Sequence, residues 1–478
     1  MAVGPLCGTI RECRGYICAY LPVRSKLMPS SSNRPAIAHK AIWALLIIGV
    51  AARVVIALYY APSYYPDSRD YLQFADQIQR WDFTNYTGMR TPAYPLLLAL
   101  TGSSATVVWL IQMILGLATA AFLFSATLRQ STSPALAFLL GLIFLLTVNH
   151  LFFEAAILTE TLSTFFLLLS WWQMGRMFQD RQFGARSLLL LSVITTLAWL
   201  TRPLLLVLAP LFGALLVSRL RKAPSAHYGP ILLCYVVPIV AAIIGWCMFN
   251  QVVLGYFGIS TTLGLNLVNH SGALIQDAPP EYSDIKDVFL QRMARQKPGP
   301  TSHVMVIWDT YPAMMEKTGL SFAALSQRLA RMSITLFLQH PQAYLASVYR
   351  AWLTFWESTI YWYPNDIASA QLREWLTSML DIQERLRALV NALFGFAALS
   401  LVSDRVRRRI SNCDMIVLTI AIVAVGSVVQ AFLEYGENAR YAVPFQPLIL
   451  WTVFIWIKAL FTRVPPLPVS APDGQAVV

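Results

Sequence analysis

Residues 104–128 read SATVVWLIQMILGLATAAFLFSATL, and residues 230–252 read PILLCYVVPIVAAIIGWCMFNQV. Neither run carries a charge. Each is long enough to cross the hydrocarbon slab of a bilayer, about 30 Å thick, as a helix. Their apolar residues are continuous rather than alternating, so the spanning element is a helix and not a barrel strand. Outward from these two, further apolar runs fall at 41–60, 133–150, 153–174, 187–200, 203–218, 387–402, 414–433 and 441–461. The expectation is an all-α polytopic membrane protein with about ten transmembrane helices over residues 41–461. The short pieces 187–200 and 203–218 meet at Thr201-Arg202-Pro203. They read as a tight hairpin, or as one tilted helix kinked at Pro203.

Composition agrees. Apolar residues make up 57% of the chain and charged residues 13%, too little charge to coat a soluble protein of 478 residues. The net charge of +12 sits in short clusters beside apolar runs, as in cytoplasmic loops, so no nucleic-acid partner is expected. These clusters are Arg24, Lys26, Arg34 and Lys40; Arg176, Arg181 and Arg186; Arg219, Arg221 and Lys222; Arg405, Arg407, Arg408 and Arg409; and Lys458 with Arg463. Alternating sides puts all of them in the cytoplasm, with an even number of spans and both termini inside. Residues 1–40 then form a cytoplasmic N-terminal segment and 462–478 a cytoplasmic tail. Residues 1–27 show no signal-peptide core and read as a mis-assigned start ahead of Met28. Cys7, Cys13, Cys18, Cys234, Cys247 and Cys413 all fall outside the segments assigned to the far side, so no disulfide framework is implied.

The far side receives residues 61–103 and 253–386. In the first, Tyr71, Leu72, Phe74, Ala75 and Ile78 recur at helical spacing, which predicts an interfacial helix over 68–80. The second is rich in Trp and Tyr, suits an interface, and holds a second candidate interfacial helix from Leu336 to Trp356. No repeat and no separate domain is visible in it.

Acids and arginines gather where these outer segments meet the spans. Asp67 follows Pro66, with Asp70 three residues on. It reads either as a helix N-cap with Asp70 as box partner, or as a carboxylate able to take a proton from an attacking hydroxyl. Arg90 opens Arg90-Thr91-Pro92-Ala93-Tyr94-Pro95, and Arg202 lies between two short apolar pieces. Each is either a snorkelling anchor or a fork for phosphate oxygens. Glu154 and Glu160 stand in FFEAAILTETLSTFF. A carboxylate inside an apolar run faces a polar cavity or pairs with a cation, here Arg53 of the first span. Glu437, Arg440 and Tyr441 precede the last span, and Asn266 lies in Gly264-Leu265-Asn266-Leu267. The six histidines show no metal-ligand spacing.

In their order, Asp67, the Arg90–Pro95 motif, Thr159-Glu160-Thr161-Leu162, Thr201-Arg202-Pro203, Gly264–Leu267 and Glu437-x-x-Arg440-Tyr441-x-x-Pro444 resemble one family. The chain looks like the GT-C membrane glycosyltransferases, in the branch of protein mannosyltransferases and lipid A aminoarabinose transferases. The resemblance covers about residues 41–461. It implies a polyprenyl-phosphate-linked sugar as donor and an inverting transfer on the outer face. It assigns catalytic roles to Asp67 and Glu160, and puts Arg90 near the donor phosphate. Arg202 and Arg440 can add positive charge there, and an acidic pair offers ligands to a divalent cation without enough of them to require one. Ser68 stands where protein mannosyltransferases carry a second acid, so a glycan or glycolipid acceptor is favoured over a protein. The alternative class is a transporter or flippase of lipid-linked sugars. It is disfavoured because the polar residues gather at the outer edge and no repeat is visible.

Overall fold

A computed structural model describes residues 34–462 apart from 222–227, 298, 300, 358 and 411. The expectations for 1–33, including the start and three cysteines, and for 463–478 lie outside the described residues. The chain is an all-α membrane protein, and 80% of its described residues are helical. Among the described residues β pairing is limited to one bridge, between Ser63 and Ala156.

Helix is present at all ten apolar runs, but among the described residues six helices are both long and apolar enough to span on their own. They are Pro35–Tyr59, Ala105–Ser131, Pro203–Leu220, Gly229–Leu254, Cys413–Leu433 and Asn438–Phe461. A seventh results if Pro134–Leu145 and Val148–Ala155, bent by 52°, form one span. Ala185–Thr201 is apolar but short. Glu160–Gln179 is diluted by Ser, Thr, Gln and an Arg, and it starts seven residues later than the expected 153. The expected span 387–402 is the apolar half of a 31-residue helix, Ala370–Ser400, whose first half is charged. The outward faces of the spans stay apolar. Trp43, Ile47 and Leu58 are each more than 60% exposed, as lipid contact requires.

Three local causes shape the frame. At the 52° bend the helical ladder breaks, and Gln383 from the long helix repairs it. Its Oε1 accepts from Val148 N–H at 2.9 Å and its Nε2 donates to the Leu146 carbonyl at 3.0 Å. Thr201-Arg202-Pro203 turns through a short 3-10 stretch, Pro203–Val207. Ala185–Thr201 and Leu208–Leu220 then pack on Tyr228–Leu254 rather than on each other. The expected interfacial helix 336–356 is two helices, Phe322–Gln339 and Pro341–Phe355. Pro341 disfavours helical backbone at His340, which sits at φ −129° and ψ 59°.

The membrane part packs around Trp171, Trp451, Phe212 and Phe445. Trp171 donates to Thr419 Oγ1 at 2.8 Å and meets Trp451 edge to face. Within residues 253–386 a separate hydrophobic cluster forms from Leu265, Ile285, Phe289, Ile307, Leu329 and Met332. Its helices Leu263–Ser271 and Phe322–Gln339 cross so closely that a Cβ on Gly264 would lie 1.8 Å from the Ser326 carbonyl oxygen. That crossing explains the glycine of Gly-x-Asn-Leu. Asn269, which fits a glycosylation triplet, is fully buried and accepts from Met305 N–H at 3.0 Å.

The site is positioned by a small piece of extended chain. Ser63 N–H donates to Ala155 O at 2.9 Å, and Ile157 N–H donates to Ser63 O at 3.0 Å. This ties the segment after the first span to the segment before Glu160.

Candidate functional site

Pro66–Arg80 begins with Tyr65 as N-cap and Pro66 at N1. Asp67 is therefore not the cap, and Ser68 rather than Asp70 holds N3. The Ser68 hydroxyl accepts from Tyr65 N–H at 2.9 Å and donates to the Ile157 carbonyl at 2.8 Å. With the cap satisfied by Ser68, the Asp67 carboxylate turns elsewhere. Its Oδ1 lies 2.7 Å from Arg90 Nη2 and its Oδ2 lies 2.6 Å from Arg440 Nη1.

The network continues in both directions. Arg90 also donates to Asp70 at 2.8 and 3.2 Å, and lies 4.7 Å over the Tyr71 ring. Arg440 donates to Glu437 at 2.9 Å and, through Nε, to Glu160 Oε1. Arg202 reaches the same Glu160 oxygen at 3.1 Å and lies 4.0 Å over the Tyr441 ring. Tyr361 donates to the other Glu437 oxygen at 2.9 Å. Arg90, Arg202 and Arg440, more than a hundred residues apart in sequence, thus share one set of carboxylates. Burial works against the charge on Asp67, but the two guanidiniums outweigh it and hold its carboxyl well below the usual carboxylate range.

A cavity of about 1040 Å³ opens in front of this network. Asp67, Arg90, Arg202, Arg440, Tyr441 and Glu434 line its polar end. Apolar side chains of Pro203–Leu220, Gly229–Leu254 and Cys413–Leu433 line the remainder, among them Leu206, Val236, Val240, Ile243, Val429 and Leu433. Val236, Val240 and Leu433 are 39–43% exposed, so this wall reaches the face that lipid chains cover. A charged mouth on an apolar trough between spans suits an amphiphile with an anionic head.

Several candidates sit elsewhere than expected. Glu160 is fully buried behind Arg440 and Arg202 and does not line the cavity. Its carboxylate anchors two arginines, because a bare acid at that depth needs cations. Asp70 and Glu437 likewise stand behind Arg90 and Arg440 rather than on the wall. Tyr94 is fully buried, donates to Gln112 at 3.2 Å and supports Tyr71 edge to face. Glu154 is remote from the cavity and pairs with Arg53, whose partner is therefore Glu154 and not Glu160. Asn266 lines the cavity. Among the described residues no three His, Cys, Asp or Glu side chains form a group able to hold a metal. Asp67 and Glu160 are both engaged by guanidiniums, so the acids do not fit a cation site here.

Three site residues escaped the sequence reading. Tyr71 was read only as part of an apolar stripe, and Tyr361 only as an interfacial aromatic. Glu434 was not singled out. It caps the C-terminus of Cys413–Leu433 and is 5% exposed. Burial, helped by the charge of Glu437, pushes its carboxyl up to about 7. The available signal was an acid three residues ahead of Glu437, just past an apolar run. No protein-family model and no curated protein matches this sequence, so the candidate site stands on its own geometry.

Proposed function

We propose that the chain is an inverting glycosyltransferase that moves a sugar from a polyprenyl-phosphate donor to a hydroxyl acceptor, a glycan or glycolipid rather than a protein. The observation that carries this is the joining of Asp67, Arg90, Arg202 and Arg440 at the mouth of an apolar trough between spans. The prenyl chain lies in the trough and the phosphate meets the arginines. Among the described residues Arg202 makes one ion pair while Arg440 is shared by three carboxylates, so Arg202 has the most donor capacity left for a ligand.

In the reaction the acceptor oxygen bonds to the anomeric carbon as the bond from that carbon to the phosphate oxygen breaks. The acceptor proton passes to Asp67, and polyprenyl phosphate leaves with one more negative charge than the donor phosphodiester carried. The arginines stabilise that growing charge. Asp67 clamped by two guanidiniums is a weak base. A donor phosphate that draws Arg440 and Arg90 toward itself frees the carboxylate and raises its basicity, which orders donor binding before chemistry. Glu160 acts in this scheme as a positioning residue for Arg202 and Arg440.

We further read ten spans in the bacterial inner membrane, both termini cytoplasmic, and 61–103 with 253–386 on the outer face. Support comes from the alternation of basic clusters and from the site lying between 61–103 and the outer ends of the later spans. The test is to incubate purified protein with a panel of polyprenyl-phosphate sugars and follow release of polyprenyl phosphate. Release with at least one donor, slowed in Arg202→Ala, is expected. Movement of intact lipid-linked sugar across vesicles without release would replace this assignment with a flippase. External labelling of intact cells should mark a cysteine at Ser283 and spare one at Ser403; the reverse pattern would invert the topology.

A further inference from the structure

A second cavity, about 320 Å³, lies between the bent helix pair, the Ala370–Ser400 helix and the Gln446–Phe461 helix. Its size is at the lower end for ligand pockets. Leu123, Phe144, Leu380, Val390, Leu450 and Phe454 give it apolar walls. At its rim Leu386 and Leu389 are 54% and 55% exposed on the outside of the bundle, so the cavity reaches the lipid-covered surface.

One strong cation lines it. Arg387 stands where the charged half of its helix passes into the apolar half. Its Nε is buried without a hydrogen-bond acceptor. Among the described residues no ion pair within 4.0 Å includes it. Glu384, one turn back on the same wall, and Glu357 act on it through space without reaching it. A guanidinium with donors to fill, beside an apolar channel open to the bilayer, matches one phosphate and one acyl chain. The floor is rigid, because Gln383 ties this helix to the bend at Leu146 and Val148. Gln446, at the start of the Gln446–Phe461 helix and six residues after Arg440, also lines the cavity.

We propose that this second cavity binds an anionic phospholipid of the surrounding bilayer, with Arg387 holding the headgroup phosphate. The assignment is independent of the transferase reading, since it uses none of the residues of the first cavity.

The experiment is native mass spectrometry of the full-length protein in detergent, titrated with phosphatidylglycerol and with phosphatidylcholine. Wild type should retain phosphatidylglycerol in preference. Arg387→Ala should lower that retention roughly ten-fold, as loss of a charge-assisted contact does, and Arg387→Lys should keep part of it. Glu384→Gln, which removes the nearby opposing charge, should hold the lipid at least as well as wild type. Val390→Phe, which fills the channel and leaves Arg387 in place, should weaken retention and so tests the site even if Arg387→Ala folds poorly. Equal retention by wild type, Arg387→Ala and Val390→Phe would overturn the proposal. So would equal binding of the two lipids, or loss of the bound lipid in Arg202→Ala alone, which would move it to the first cavity.

Discussion

Two sets of buried acid–arginine pairs occur in this chain, and their surroundings differ. Arg53 and Glu154 pair inside the helical bundle with side chains 4% and 3% exposed. Arg53 also donates to the Gly49 carbonyl at 3.0 Å. Gly116 packs over them so closely that a Cβ there would lie 1.9 Å from Glu154 Oε1. Neither residue lines either of the two cavities described above. The Asp67 set is nearly as buried on its arginine side, yet Asp67 itself keeps 28% of its side-chain surface and opens on 1040 Å³. Burial of an ion pair is therefore a poor sign of chemistry by itself, since it measures only a desolvation cost that had to be offset. The informative features are the ligand-sized space in front and the sharing of one carboxylate among several guanidiniums.

The sharpest way to test that contrast is Asp67→Asn. Asn at N2 leaves the Ser68 cap untouched, so the protein should fold and bind donor. Its single-turnover rate should fall by roughly 10²–10⁴. Near-normal turnover would remove Asp67 as the base. Next in size is Glu154→Ala, which strands Arg53 in the bundle and should cost roughly 3–5 kcal/mol of stability. The fraction that still folds should turn over normally; a folded Glu154→Ala protein with lost catalysis would erase the distinction between the two sets. Arg202→Ala should cost about 1.5–3 kcal/mol in kcat/KM, with the melting temperature much less affected than in Glu154→Ala. Gly116→Ala should lower stability by roughly 1–3 kcal/mol through overpacking against Glu154, with donor affinity unchanged. A shift in donor affinity would mean the two pairs are coupled.

The smallest effect concerns pH. The folded-state pKa of Glu434 is raised to about 7. Its neutral form is the one the fold prefers, so its stabilising share is full below the unfolded carboxyl value, about 4.3, and is lost as pH rises to about 7. Asp67 has the opposite sign: its share is present above the usual carboxylate range and disappears as pH falls through its lowered value. Glu434→Gln should flatten the decline in melting temperature between about pH 4.5 and 7 and leave the acid limb in place. An unchanged profile would show that Glu434 does not titrate in that window.

The spans were legible because lipid imposes a rule that one segment must satisfy alone: every backbone group bonded internally and every outward side chain apolar. Ala105–Ser131 and Tyr228–Leu254 follow from that rule within a few residues. Candidate acids and arginines were also visible, since charge at a span edge costs enough to stand out. Where local signals compete, the sequence misled. Asp67 and Ser68 are both good capping residues, and only the register set by Pro66 makes Tyr65 the cap and puts Ser68 at N3, where its hydroxyl accepts from Tyr65 N–H and donates to the Ile157 carbonyl. The core around Phe289 and Leu329 joins segments about forty residues apart, so no single periodic run announces it.

By itself the sequence determined the class of the protein, the apolar runs that become helices, and the short list of charged groups worth watching. Those follow from transfer energies that act residue by residue. Only the tertiary structure decided which of those groups face a ligand-sized space. Glu160 went behind the arginines, Glu154 to Arg53, and Glu434 to the cavity wall. The partner of such a carboxylate is chosen by packing among segments up to 373 positions apart, as between Asp67 and Arg440. No local pattern encodes that distance, because the energy that selects the pair exists only once both ends have been desolvated together.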